Sequence, residues 1–310
     1  MDRKEKSKYI SVVILNWNNL SDTIECIDSL LKNVHPVNKI VIVDNGSTDG
    51  SGKMLAEKYS KDQLIELFFN EVNEGFSKGV NLGVKKALKS NPDYILLLNN
   101  DTVLDRDCIK KMVDACDLNN KCGIAGPRIF YNHKKEIVWQ GGGYFNYYTG
   151  GNVVPEKNKK PKVYKTNFVS ATFLTGCIML IKTVVFDKIG LLDEDIFFYE
   201  EDVDFCLRAV KSGYNLQYVP SAVAWHKVEG IRLTPFAFYN RARSRIIVLR
   251  KNFNKIYVAY GILSHFLLFT PYKIYQSINA EKPWETLRAW FKGSIEGLFA
   301  KLDYKTNKPN

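Results

Sequence analysis

Residues 94–104 read YILLLNNDTVL, and this stretch decides the fold. Five apolar residues in a row stop at Asn99, Asn100 and Asp101, after which apolar character returns. A short unbroken apolar run closed by polar residues is the pattern of a strand covered on both faces, as in a parallel sheet between helices. Ending such a strand in two amides and a carboxylate sets polar groups where the chain leaves the core.

The preceding chain repeats the pattern. YISVVILN (9–16), KIVIVDN (39–45) and QLIELFFN (63–70) are short, β-branched or aromatic, and each ends in a polar residue. Between them, SDTIECIDSLLKN (21–33) carries Ile24, Ile27, Leu30 and Leu31 on one helical face, with Ser21 or Asp22 as its cap. SKGVNLGVKKALKS (77–90) turns Val80, Val84, Ala87 and Leu88 inward. Alternating strands and helices of this kind predict an α/β fold, a Rossmann-like and mostly parallel sheet flanked by helices. In such sheets ligands bind beyond the carboxyl ends of the strands. The polar stops Asn16-Trp17-Asn18, Asp44-Asn45-Gly46, Asn73-Glu74-Gly75 and Asn99-Asn100-Asp101 all fall at that end.

Residues 132–168, rich in Gly, Lys and aromatics, predict a long hairpin or a mobile loop. Order returns at 168–182, continues through 183–214 and reaches the apolar strand NLQYVPSAVAWH (215–226). After His226 the chain is basic, aromatic and helical.

The 310 residues carry a net charge of +11, unevenly placed. From Lys227 onward there are 15 Lys and Arg against 5 Asp and Glu, whereas residues 1–226 hold 29 against 28. A basic final quarter predicts an attachment surface and argues against a nucleic-acid groove. Residues 256–272 are uncharged and end near Pro271, with basic residues before them and Trp284 and Trp290 after. That segment reads as a helix packed on the catalytic unit, lying on an anionic membrane surface, or crossing the membrane. The polar start MDRKEKSKYI lacks the apolar core of a secretory signal. The six cysteines show no C-x-x-C pair and read as buried or free thiols in a reducing compartment, which predicts the cytoplasm, with peripheral attachment to the inner face of the plasma membrane.

Four segments carry candidate chemistry. VDNGSTDGS (43–51) is either a tight turn or a place where Asp44 accepts from a nucleobase N–H while small residues admit a ligand. GSGKM resembles a phosphate loop, but Ser47 stands where its first glycine belongs and Met54 where Ser or Thr belongs. Asp101 is placed to hold a hard divalent cation whose shell diphosphate oxygens and water complete. Glu200, Glu201, Asp202 and Asp204 open a helix, where acids favour the macrodipole and where one is a candidate general base. His226, at the end of a strand, is either structural or a metal ligand.

In this order the segments resemble glycosyltransferase family 2 of GT-A fold, in its rhamnosyltransferase-like branch. The matching stretches are VVILNWN, IVIVDNGSTDGS, NEGFSKGVNLG, LLLNNDT, FLTGCIMLIK, GLLDEDIFFYEEDVDFCLR and AWH, spanning residues 9–226. The resemblance implies a nucleotide-sugar donor with dTDP-rhamnose or a UDP-sugar as candidates, a glycan or lipid-linked acceptor, Mg2+ or Mn2+, and inversion at the anomeric carbon. It implies that Asn16 and Trp17 lie along the base, Asp44 binds it, and Gly75 lets the backbone approach the nucleotide. Asn99, Asn100 and Asp101 occupy the D-x-D position with Asp101 on the metal, Asp202 is the catalytic base, and His226 lies near the metal. Acceptor selection is expected around Thr175, Gly176 and Glu201. Asn99 departs from the motif, replacing a carboxylate with an amide. The expected organisation is a catalytic unit over 1–226, with a nucleotide-binding half (1–104) and an acceptor half (105–226), followed by a helical extension over 227–310. The alternative is a non-catalytic glycan- or membrane-binding scaffold, which predicts loss of the acids; Asp44, Asp101 and Asp202 are all present.

Overall fold

The computed structural model describes residues 8–228 and 233–303, so most of the polar start lies outside it. The first half alternates as its patterning requires: β1 (Ile10–Asn16), α1 (Leu20–Leu31), β2 (Lys39–Asn45), α2 (Ser51–Tyr59), β3 (Ile65–Asn70), α3 (Phe76–Leu88) and β4 (Tyr94–Asn99). There follow β5 (Thr102–Leu104), α4 (Cys108–Asp117), β6 (Cys122–Tyr131), β7 (Val138–Gln140), β8 (Tyr144–Asn146), β9 (Gly151–Val153), β10 (Val169–Ala171) and β11 (Ile178–Lys182). Next come α5 (Thr183–Ile189), α6 (Glu201–Lys211) and β12 (Asn215–His226). The chain ends in α7 (Pro235–Asn252), α8 (Lys255–Ser264), a π-helical turn (His265–Phe269), α9 (Thr270–Ser277) and α10 (Pro283–Phe299).

The sheet runs β10-β12-β6-β11-β4-β1-β2-β3, with β5 paired to β12 and β7 to β6. Strands β3, β2, β1 and β4 are mutually parallel, whereas β11 is antiparallel to β4 and β6. The unbroken apolar runs have a direct cause. Ile14, Ile42, Leu96 and Leu98 join one buried cluster with Ile27, Leu30 and Met112. Val13, Val41, Val43 and Leu97 point the other way, onto Val80, Val84 and Ala87. Both faces of β1, β2 and β4 are covered, so these strands are almost entirely apolar, while the edge strand β3 leaves Glu66 and Phe69 exposed. Gly83 lets α3 close on the sheet, since a Cβ there would meet Val13 at 2.4 Å.

The opening stretch is resolved by β5. After the polar stop the chain turns and pairs antiparallel with the end of β12, setting Thr102 opposite His226 and Leu104 opposite Ala224. The apolar residues after Asp101 thus build a strand, and α4 begins only at Cys108.

Several expectations change. The cap of α1 is Asn19, whose side chain accepts from the Asp22 N–H, and neither Ser21 nor Asp22 caps it. Leu31 faces solvent. Cys116 and Cys122 form a disulfide between the end of α4 and the start of β6, so only Cys26, Cys108, Cys177 and Cys206 are free thiols among the described residues. Residues 132–168 are ordered around Glu156, which is buried and accepts from Arg128, Tyr218 and the Lys162 N–H. Strands β8 and β9 form the hairpin.

In the C-terminal part, α10 lies against α7 at backbone distance: a Cβ on Gly293 or Gly297 would meet the Tyr239 or Arg243 carbonyl oxygen. Helices α8 and α9 are inverted in polarity. Ser264, His265, Thr270, Lys273, Gln276 and Ser277 are buried, while Leu263, Leu267, Leu268, Tyr272, Tyr275 and Ile278 are exposed. No helix among the described residues is long and apolar enough to cross a membrane.

Candidate active site

Three groups of side chains meet at the carboxyl ends of the central strands. The first is built on Asn16, fully buried at the end of β1. Its Nδ2 donates to Asp44 Oδ1 at 2.7 Å and Ser51 Oγ at 3.0 Å, and its Oδ1 accepts from Thr23 Oγ1 at 2.8 Å. Asp44 also accepts from Ser47 Oγ at 2.6 Å and the Ser47 N–H at 3.1 Å. Its Oδ2 keeps acceptor capacity, since a carboxylate offers about four lone-pair sites. A Cβ on Gly52 would lie 2.6 Å from this carboxylate, so the glycine brings the first turn of α2 onto it. Trp17, next to Asn16, is half exposed on the rim. Asn100 turns inward and donates to Thr23 Oγ1 at 2.9 Å. Asn99 is tied by its backbone N–H to the Cys177 carbonyl at 2.9 Å.

The second group is the pair Asp101–His226. Register between β5 and β12 brings His226 Nε2 to 2.9 Å from Asp101 Oδ1, across 125 residues of sequence. Burial opposes a charge on the His226 ring, but the neighbouring Cys177 sulfur and the Asp101 carboxylate favour it and push His226 up to about 10. His226 Nδ1 is buried without a partner, while Trp139 packs on the ring at 4.2 Å between centroids. Lys227, the next residue, reaches back to Asp22 and Glu25 on α1 and fixes the strand end. No cluster of three or more His, Cys, Asp or Glu forms among the described residues, so the protein offers two donors. Asp101 fits a cation whose remaining shell comes from diphosphate and water; His226, held as an imidazolium against that carboxylate, would ligate only after giving up its proton.

The third group is the start of α6. Asp202 Oδ2 accepts from the Gly176 N–H at 2.9 Å and its Oδ1 from the Val203 N–H at 2.8 Å. A Cβ at Gly176 would sit 3.2 Å from Asp202 Cβ, so the glycine admits the acid at close range. The next residue, Cys177, touches Thr102 Oγ1 at 3.3 Å. Residues Thr175-Gly176-Cys177 therefore bridge the Asp202 carboxylate to the Asp101–His226 pair. Desolvation raises Asp202 despite the N–H groups it accepts from, and raises its neighbour Glu201 well above the ordinary carboxylate range. Glu201 is buried with Oε2 unpartnered. Asp204, by contrast, is engaged structurally by Arg208 at 2.7 Å and Asn252 at 2.7 Å.

Two backbone features hold the acids in place. Tyr199 and Glu200 both adopt left-handed φ, at 63° and 69°, a conformation that costs side-chain-bearing residues energy and that packing must enforce. Gly75 has φ 86°, and the space a Cβ would fill is taken by the Phe197 ring and carbonyl, 2.6–2.8 Å away. The acid-bearing segment by itself therefore requires a glycine at position 75. Ser77 and Asn81 on α3 fasten the same segment through the Ile196 and Leu192 carbonyls.

A parallel β3-β2-β1-β4 core with this polar rim defines a GT-A fold. The chain belongs to glycosyltransferase family 2: the family model described as Glycosyl transferase family 2 matches residues 11–190. It is 25% identical over 258 residues to the dTDP-rhamnosyl transferase RfbF of Shigella flexneri, covering 78% of this chain and 80% of that one. It is 27% identical over 208 residues to the N-acetylglucosaminyl-diphospho-decaprenol L-rhamnosyltransferase of Mycobacterium tuberculosis, covering 60% and 66%. Among solved structures, the mannosyltransferase of Pyrobaculum calidifontis in complex with GDP-Man and Mn2+ superposes with a TM-score of 0.60 at 13% identity, over 96% of this chain and 89% of that one.

Sequence reading missed Thr23, Cys177 and Lys227, which organise the three groups. Their signal is only topological, because each acts across more than 70 residues.

Proposed function

We propose that this glycosyltransferase moves a sugar, with inversion, from a nucleoside diphosphate donor (dTDP-rhamnose or a UDP-sugar) to a hydroxyl of a lipid-linked or glycan acceptor in cell-surface polysaccharide synthesis. The observation that carries this reading is the convergence of Asp44, the Asp101–His226 pair and Asp202 on one end of the sheet. Asp44 Oδ2 would fix the base with Trp17 along it, and Asn16, fully buried, would position the Asp44 carboxylate. Asn99 and Asn100 would lie along the ribose and diphosphate. Asp101 and His226 would hold Mg2+ or Mn2+, which offsets charge on the leaving diphosphate when bound.

Asp202 takes the proton of the acceptor hydroxyl as its oxygen bonds to the anomeric carbon. The bond from that carbon to the diphosphate oxygen breaks with its electron pair. Attack from the face opposite the leaving group inverts the centre. The N–H groups of Gly176 and Val203 orient the Asp202 carboxylate, and Thr175, Gly176 and Glu201 line the acceptor side. In this reading residues 1–226 are the catalytic unit, split near residue 104 into nucleotide and acceptor halves, and 227–310 are the extension. The extension lays the outward apolar face of α8 and α9 on an anionic membrane at the cytoplasmic side, where its excess of ten positive charges is complementary. A screen of UDP-, dTDP- and GDP-sugars, following nucleoside diphosphate release with and without Mn2+, tests the reading. Release with one donor supports it; silence with all favours the scaffold.

A further inference from the structure

Between α7, α9 and the turn before α6 lies a cluster of cations that the transfer chemistry does not use. Arg245 is 6% exposed and Lys273 8% exposed, and Arg241 is half-buried. Arg241 stacks on Tyr199 at 4.4 Å and Arg245 on Phe269 at 3.8 Å, while Lys273 lies 5.0 Å from the Phe238 centroid. None of the three makes an ion pair among the described residues. Arg245 donates to the Thr149 carbonyl and Lys273 to Gln276 Oε1 at 2.7 Å, but Arg245 Nε is buried with no partner.

The charges facing them are nearly all of one sign. Glu200, next to the acid pair, is the carboxylate that interacts with all three. Lys157 approaches Arg241 from the 144–159 segment, and His265 beside Arg245 is driven down to about 3 by burial and by that arginine, so it stays neutral. Burial lowers Arg245 to about 10 and Lys273 to about 8, as expected of cations short of counter-charge. Buried Arg and Lys are rare unless paired, and aromatic faces and neutral acceptors replace only part of the lost hydration. A purely structural role explains the bonds to Thr149 and Gln276. It leaves the excess positive charge unexplained.

We infer that Arg241, Arg245 and Lys273 form a binding site for the phosphate or diphosphate group of the acceptor. Its place fits this occupant. Arg241 covers Tyr199, and α7 is tied to the same turn by Ser244 Oγ to the Phe198 carbonyl at 3.1 Å, so the site lies within three residues of Asp202. A phosphate held there sets the sugar hydroxyl of the same acceptor toward the base. Helix α9 carries Lys273 inward and Tyr272, Ile274 and Tyr275 outward, which brings the anion site beside an apolar surface suited to a lipid chain. The assignment rests on the proposed transfer to a lipid-linked acceptor and specifies the groups that would read it.

The test is calorimetric and needs no turnover. The full chain is titrated with inorganic pyrophosphate, farnesyl diphosphate, farnesol, glycerol phosphate and, separately, UDP and dTDP with Mn2+. Farnesyl diphosphate is expected to bind at least tenfold more tightly than farnesol or glycerol phosphate, and Arg241→Gln and Lys273→Gln each to weaken it about tenfold while leaving nucleotide affinity unchanged. Arg241 is half-buried and makes no hydrogen bond among the described residues, so its variant tests the site even if the Lys273 variant fails to fold. Unchanged farnesyl diphosphate affinity in Arg241→Gln overturns the assignment. Equal loss of nucleotide affinity overturns it too, moving the cluster to the donor. Glycerol phosphate binding as tightly as farnesyl diphosphate makes it a phospholipid headgroup site, also against the proposal. Failure of the proposed function is distinct, because it shows as absence of nucleotide binding in the unaltered chain.

Discussion

Asp202 is the residue on which the proposed transfer turns. It is partly accessible, fixed by two backbone N–H groups, and raised by desolvation above the usual carboxylate value of about 3.9. Only the ionised form accepts a proton, so kcat/KM falls as pH drops through this raised value, and its acid limb lies above that of an ordinary aspartate. Asp202→Asn is expected to keep nucleotide-sugar binding and lose transfer by about 10²-fold or more; a variant turning over at near the original rate removes Asp202 from the role. Asp101 makes a different prediction. If Asp101 holds the cation as proposed, Asp101→Asn is expected to raise the Mn2+ concentration for half-maximal nucleoside diphosphate release about tenfold or more. Unchanged Mn2+ dependence would separate Asp101 from the cation. Asp101 stood out in the sequence because a carboxylate closed an apolar strand. His226 stood out as well, at the end of an apolar strand, but their direct contact depends on the register of β5 on β12, which the sequence does not show.

At the scale of elements, β1 to β4, α1 and α3 were legible because their apolar runs and stripes are strong, whereas α2, which follows the polar stretch after β2, was not read as a helix. What stayed illegible were features set by distant partners. Asn19 caps α1 although Ser21 and Asp22 are equally good by type. Glu156 orders the 132–168 segment through Arg128 and Tyr218, which lie on other strands. Gly75 stood out as a motif glycine, but its contact with Phe197, a residue 122 positions away, was not legible. Gly75→Ala places a side chain at φ 86° and against Phe197. The expected result is a loss of about 1–3 kcal/mol in stability, with transfer reduced more than nucleotide affinity, because the displaced segment carries Asp202. Calorimetric nucleotide titration beside a melting curve checks this. A variant losing nucleotide affinity alone would restore the nucleotide as the neighbour that needs the glycine.

Over the whole molecule, polarity is arranged in two opposite senses. In the sheet domain apolar side chains point inward, whereas in α8 and α9 polar side chains are buried and large apolar ones face out. Small residues bring α10 onto α7, a packing common where helices meet in lipid. Leu263, Leu267, Leu268, Tyr272, Tyr275 and Ile278, with Trp284 and Phe299 on the following helix, are all exposed, and large apolar side chains gathered on neighbouring elements mark an interaction surface. Two occupants would cover it, an anionic bilayer or a second copy of the chain. The positive charge of the final quarter favours the bilayer, since two copies would bring like charges together. The chain is therefore expected to float with phosphatidylglycerol-containing vesicles and to release as salt rises. Leu267 and Leu268 are 63% and 60% exposed, so replacing both with Glu leaves the fold intact. Removing two leucines' insertion, about 1.5 kcal/mol or more each, is expected to weaken vesicle partitioning by roughly 10²-fold. Retained flotation of the double variant would move the contact elsewhere, and a concentration-dependent dimer in light scattering, abolished by the same changes, would show the second copy to be the true cover.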